Sequence, residues 1–326
     1  MPPGNDELAA PPGGRALAHA LHVAQRGRAR ALLFGSAVFF GLSAVLARLA
    51  TLQGMNGAQV TVVRFALGVA FVGGLFAARP GTFRPRRKGL LATRGLFGGF
   101  AALLYFLAIE RIPAGEATLI NNTFPIWGVL LSLVLLDERP TIHLVIGLAL
   151  ASAGVFLVLR EGAGGAGPGL GWGEAFAVVS AVTGGAAVTA IRALRATDNA
   201  PTIFFAFSVG ALAVSIPFAI AAPWPAAPAA WAAAAAVGVT SFAAQMFMTE
   251  AYGTLSVAEA ALWQQLTPIA SYLWGLLLGE VIGWGTLGGV LLGVAGIVYG
   301  SVLGHRPRQA SSPEAKIAEG IPAEEP

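Results

Sequence analysis

The chain has 326 residues, of which 56% are hydrophobic and 11% charged, and its mean hydropathy is +0.72. Soluble domains carry roughly 25% charged residues, so this composition excludes an ordinary soluble domain and reads as an integral membrane protein. Cysteine is absent, which excludes disulfides, thiolate metal sites and thiol catalysis, and the four histidines (His19, His22, His143 and His305) are too scattered to suggest a metal centre.

A helix needs ~20 apolar residues to cross a ~30 Å hydrocarbon layer. Taken in chain order, the apolar runs predict ten spans, at 31 to 51, 57 to 78, 89 to 109, 114 to 136, 140 to 159, 170 to 191, 201 to 222, 229 to 252, 257 to 278 and 281 to 303. The segments 1 to 30 and 305 to 326, rich in Pro, Gly, Ala and charge, are expected to be tails without a packed fold. The first run begins about thirty residues in without a convincing cleavage site and is expected to be a retained span.

The connections set the orientation. With the N-terminus inside, fifteen Lys and Arg residues lie on the inner side and two, Arg111 and Arg160, on the outer. That bias predicts both termini in the cytoplasm and a plasma (inner) membrane location. The net charge of +4 and the RPRRK cluster at 84 to 88 therefore read as a topology and lipid-headgroup signal, and nucleic acid is not an expected partner.

An internal repeat organises the chain. EATLINNTFP at 116 matches EAALWQQLTP at 259, pairing Glu116 with Glu259, Asn121 with Gln264, Asn122 with Gln265 and Pro125 with Pro268. The match continues through Glu138 with Glu280, Gly147 with Gly289 and Gly154 with Gly296, and upstream FGLSAVLAR, ending at Arg48, matches GGAAVTAIR, ending at Arg192. The chain thus divides into repeats at 31–160 and 170–304, joined by a Gly-rich linker at 161–169. Five spans per repeat is an odd number, so the halves must lie inverted in the membrane, an architecture that recurs in secondary transporters with a midplane substrate site.

The run YFLAIERIPAGEATLINNTFPIWGVLLSLVLLDERP and its partner MFMTEAYGTLSVAEAALWQQLTPIASYLWGLLLGE, with RFALG at 64 and RGLFGGF at 94, resemble the EamA-type repeat of the drug/metabolite transporter superfamily. The resemblance implies an all-α carrier of ten transmembrane helices, with the third, fourth, eighth and ninth spans around a central cavity and the fifth and tenth packed peripherally. It also implies small organic metabolites or drugs as cargo, often exported.

The polar residues inside the spans are the candidate site. Asn121, Asn122, Gln264 and Gln265 lie near mid-bilayer, the asparagines ~10 to 12 Å deep at 1.5 Å per residue. Pro125 and Pro268 lack the N–H that would bond the carbonyls of Asn121 and Gln264, so each repeat offers side-chain amides beside a freed backbone acceptor. Trp263, Trp127 and Tyr105 are candidate apolar walls. Arg64 and Arg94 have no basic counterpart in the other repeat and are candidates for binding an anionic group such as a carboxylate. Glu116 with Arg48, and Glu259 with Arg192, stand at repeat-equivalent positions and are candidates for matched gates. Against this stands the simpler reading of carboxylates favoured by a helix N-terminus. Glu116, Glu259 and Glu250 are candidates for carrying a coupling proton, since burial disfavours a charged carboxylate.

The sequence therefore predicts a secondary carrier for amino acids or related carboxylates, with export favoured by the resemblance. Its expected partners are the substrate, the bilayer and, in one arrangement, a second copy in a homodimer; no cofactor is implied. The alternatives are a multidrug or uptake carrier of the same fold, a membrane-embedded enzyme, or a non-transporting scaffold. An enzyme would need a nucleophile with its base, paired carboxylates or metal ligands, and the spans hold isolated glutamates. No G-x-x-x-x-G-K-[ST] loop marks a primary pump.

Overall fold

The computed structural model describes residues 12–109, 111, 120–162, 171–275 and 284–304. Within them lie eleven helices and no strand. These are α1 (Pro12–Leu52), α2 (Gly57–Ala78), α3 (Lys88–Ile109), α4 (Phe124–Leu135), α5 (Ile142–Gly162), α6 (Trp172–Leu194), α7 (Ala200–Ala219), α8 (Pro228–Ala251), α9 (Val257–Gln264), α10 (Leu266–Gly275) and α11 (Trp284–Leu303). Among the described residues five helices are long and apolar enough to cross a membrane, at Val23–Leu52, Gly57–Ala78, Trp172–Leu194, Ala200–Ala219 and Pro228–Ala251.

Local chemistry sets the helix starts. Asn56 caps α2, its side chain accepting from the Gln59 N–H at 2.8 Å while the Gln59 amide oxygen accepts from the Asn56 N–H at 3.0 Å. Asn199 caps α7 in the same way through the Thr202 N–H at 3.0 Å, and Ser256 caps α9 through the Glu259 N–H at 3.2 Å. Each bond satisfies one of the donors that a helix start leaves without a partner.

Two elements differ from the sequence expectation. The stretch expected as a tail over 1 to 30 is helical from Pro12 and continuous with the first span, giving α1 41 residues. At 1.5 Å per residue that is about 60 Å, twice the hydrocarbon thickness. The ninth span, expected as one helix over 257 to 278, is two: α9 ends at Gln264, Gln265 forms a turn, and α10 starts at Leu266. The fourth span breaks at the equivalent place, with turn residues at Asn122 and Thr123 before α4.

Helix neighbours obey the inverted repeat. The α1–α8 contact is matched by α6–α3, α2–α8 by α7–α3, and α1–α10 by α6–α4, while α2–α7 and α5–α11 pair equivalent helices with each other. Glycines set the closest approaches. A Cβ at Gly147 would stand 2.7 Å from the Gly300 Cα, and one at Gly296 2.6 Å from the Ala151 N, so α5 and α11 touch backbone to backbone. The same device recurs symmetrically: Gly41 of α1 abuts Ala270 and Ser271 of α10, and Gly185 of α6 abuts Trp127 and Gly128 of α4. The outer faces of α4, α5 and α11 expose Leu130, Val134, Val145, Leu291 and Val302, apolar surface suited to lipid.

Candidate functional site

The breaks in spans four and nine place proline in the first turn of each second half-helix, as the second residue of α4 (Pro125) and the third of α10 (Pro268). Proline is tolerated there because the N–H it lacks has no helical partner in any case. Both prolines therefore open a new helix rather than bend one. The two new N-termini carry the positive end of the helix dipole.

The four amides do different work. Asn121 is half-buried, and its Oδ1, at 2.8 Å, shares the single Ser180 hydroxyl proton with the Ala101 carbonyl, at 2.7 Å, so Asn121 joins α6 and α3 to the break. Asn122 is half-buried beside it. Gln265, 1% exposed, donates from Nε2 to the Ser152 Oγ at 3.1 Å and fastens the ninth-span break to α5. Gln264 turns the other way: its Nε2 donates to the Tyr252 hydroxyl oxygen at 2.5 Å. Tyr252 is fully buried, and because its oxygen accepts that bond, its own O–H remains a donor.

Arg94 is 3% exposed, and its Nε and one terminal nitrogen, Nη1, are buried without a hydrogen-bond partner. Its guanidinium lies over the Phe207 ring, 3.8 Å from the centroid, and over Gly98, where any Cβ would collide with Nη1. It is within electrostatic reach of both Arg64 and Tyr252. Arg64, half-buried, lies over Phe65 at 4.9 Å and Phe40 at 5.9 Å. Phe65 and Phe207 meet edge to face with centroids 4.7 Å apart, which yields a guanidinium–ring–ring–guanidinium ladder across α2, α7 and α3. Trp263 adds a buried Nε1 donor without a partner. Trp127 packs against Gly185, and Tyr105 against the Ala108 and Ala177 cluster, so these two support helix packing.

At the end of the bundle where α1 begins, arginines and carboxylates pair across the repeats. Arg26 and Arg30 of α1 both bind Glu259, Arg30 at 2.9 Å, and Arg30 also donates to the Ser301 carbonyl at 3.0 Å. Arg192 donates to Glu138 at 2.7 Å and to the Tyr252 carbonyl at 3.0 Å, while the second Glu138 oxygen accepts the Val257 N–H at 2.7 Å and so holds the start of α9. Arg195 binds Glu250 at 2.9 Å, and Asp198 accepts the Arg86 N–H at 2.8 Å.

The expected Glu259–Arg192 pair is thus not formed. Glu259 is the third residue of α9 and faces α1, whereas Arg192, in the last turn of α6, faces Glu138 just beyond α4. Both partners of Glu259 lie before residue 31, in the stretch expected as a tail. Glu116 lies outside the described residues, so its expected pairing with Arg48 does too; Arg48 itself is exposed at the opposite end of α1. Glu250 sits half-exposed at the surface on Arg195. Sequence reading missed Tyr252, Phe207, Phe65, Phe40, Arg26 and Arg30, and only the two arginines, four residues apart, carried a helical signal.

An apolar groove between α2 and α8, lined by Val62, Val63, Ala66, Leu67, Trp224, Trp231 and Ala235, holds no charged side chain. The polar chemistry lies instead in the Arg94 cluster, reached from both repeats.

Comparison with known proteins supplies the family. The model of the EamA-like transporter family matches residues 28–160 and again 171–301, one match per repeat. The chain belongs to the EamA-like transporter family. It is 28% identical over 253 residues to the pseudopaline exporter CntI of Pseudomonas aeruginosa, covering 74% of this chain and 85% of that protein, in two strains. It is likewise 28% identical over 212 residues to a Helicobacter pylori protein described as an uncharacterized transporter, covering 59% of this chain and 65% of the other. A solved crystal structure shares the fold, with a TM-score of 0.74 at 21% identity, covering 86% of this chain and 100% of the other. The chain is therefore a multi-helix membrane transporter, and the family gives no support to an enzymatic reading.

Proposed function

We propose that this protein is a secondary carrier that exports small carboxylate-bearing metabolites, amino acids and their relatives foremost, by alternating access. The single observation that carries the substrate class is Arg94, a guanidinium inside the bundle with ring contact but without an anionic partner among the described residues. A buried cation without an anion is costly, and a substrate carboxylate would supply the missing charge. Tyr252, within electrostatic reach of Arg94 and bonded to Gln264, would offer a neutral donor, with Gln264, Trp263, Asn122 and Arg64 completing the proposed site. The exporting relative in Pseudomonas aeruginosa supports the direction, and the arginine-rich end of the bundle is proposed to face the cytoplasm.

In this reading the cross-repeat ion pairs hold that end closed, and alternation requires Glu259 and Glu138 to release Arg26, Arg30 and Arg192. The test is ligand-dependent thermal stabilisation of the purified full-length protein against amino acids, other carboxylates, amines and neutral drugs. Carboxylates are expected to stabilise the wild type and not Arg94→Gln. Stabilisation by amines or neutral drugs with none by carboxylates would favour a multidrug carrier.

A further inference from the structure

Among the described residues, the carboxylates near the bundle core are already in use. Glu259 is held by Arg26 and Arg30, Glu138 by Arg192, and Glu250 by Arg195. Asp198 accepts the Arg86 N–H and the Thr197 hydroxyl. None of these is free to neutralise Arg64 or Arg94, and the two cations stand at the ends of one ring ladder. Like charges in a region of low dielectric repel far more strongly than in water.

The inverted repeat does not impose this pair. The counterparts of Arg94 and Arg64 in the second half are Val237 and Phe205 or Ala206. Both cations come from the first repeat, on α3 and α2, and each lies over one ring of the Phe65–Phe207 pair. Gly98 is what allows the Arg94 pose, since its missing side chain makes room for the guanidinium over Phe207. One bound carboxylate would neutralise one guanidinium and leave the other unpaired in the same apolar surroundings.

Building on the proposal that Arg94 receives a carboxylate, we infer that the substrate carries two anionic groups, one for each guanidinium, joined by an apolar body that lies over Phe65 and Phe207. The two arginines thereby measure substrate charge and length together. Arg94, buried, takes one anion with Tyr252 as a neighbouring donor, and Arg64, half-buried, takes the other.

The test compares diacids with their own monomethyl esters, which keep length and shape but lose one charge. Succinate, glutarate and adipate are titrated against these esters with the purified full-length protein, by calorimetry or thermal stabilisation. At least one diacid is expected to bind about 10-fold or more tightly than its ester, the scale of one charge-assisted hydrogen-bonded contact. In Arg64→Gln that preference should fall below about threefold while ester binding persists. Gly98→Ala, which displaces Arg94, should weaken diacid and ester alike. Equal binding of diacid and ester by the wild type, lost in Arg94→Gln, would overturn the two-anion inference and leave the carboxylate carrier standing. If no diacid, ester or other carboxylate binds a monodisperse wild-type protein, both readings fall.

Discussion

Six arginines in this bundle are handled in two ways. Arg26, Arg30, Arg192 and Arg195 each rest on a carboxylate and tie one end of the molecule together across the repeats. Arg64 and Arg94 rest on aromatic faces, and Arg94 has two buried nitrogens without any partner. A fold that only needed to avoid unpaired charge had carboxylates to place and placed them at the end. The contrast separates arginines that rest on carboxylates from the two that we propose receive a ligand.

The comparison can be broken most forcefully at Arg94. Reversing its charge in Arg94→Glu is expected to cut carboxylate flux in proteoliposomes by more than about 100-fold, because attraction becomes repulsion at a desolvated site. Flux within tenfold of wild type would place the anion elsewhere. Next in size is the paired set. Glu259→Ala leaves Arg26 and Arg30 without their shared anion and is expected to cost about 1–3 kcal/mol, held below the fully buried range because both guanidiniums are partly exposed. Thermal unfolding measures this, and a double-mutant cycle with Arg30→Ala should show coupling; additivity would mean that the pair does not hold the two elements together.

Smaller effects sharpen the boundary of the site. Tyr252→Phe keeps the ring and loses the bond to Gln264, so substrate affinity is expected to fall about fivefold, near 1 kcal/mol. Unchanged affinity would reduce Tyr252 to packing. Asn121→Ala breaks the contact with Ser180, expected to cost about 0.6 kcal/mol of stability with substrate affinity unaltered. A large loss of affinity there would return Asn121 to the binding residues.

Much of the fold was legible because its signals are local or repeated. Apolar runs marked the helices, EATLINNTFP beside EAALWQQLTP marked the two repeats, and the glycines at 147, 154, 289 and 296 marked their register, while five of the described helices are long and apolar enough to cross a membrane. Arg64 and Arg94 were visible because a charge inside an apolar run is conspicuous. What stayed hidden is long-range. Phe207 meets Arg94 from 113 positions away and Arg26 meets Glu259 from 233, with no periodicity to announce either. The α1 extension was hidden for a different reason: its Arg, Ala and Gly content looks like a tail by hydropathy, yet Ala, Leu and Arg are strong helix formers, and Glu259 anchors the two arginines that a tail would leave in water. Among the amides, the repeat showed where the chain breaks but not that Gln265 and Asn121 bond neighbouring helices while Gln264 turns to Tyr252.

The most direct measurement of the central claim uses one variant and two readouts. Purified Arg94→Gln should unfold at or above the wild-type temperature without substrate, because an unpaired buried cation is removed, and should lose the stabilisation that carboxylates confer on the wild type. A variant destabilised by several kcal/mol that still gains the full carboxylate stabilisation would show that Arg94 serves the fold, and would contradict the account.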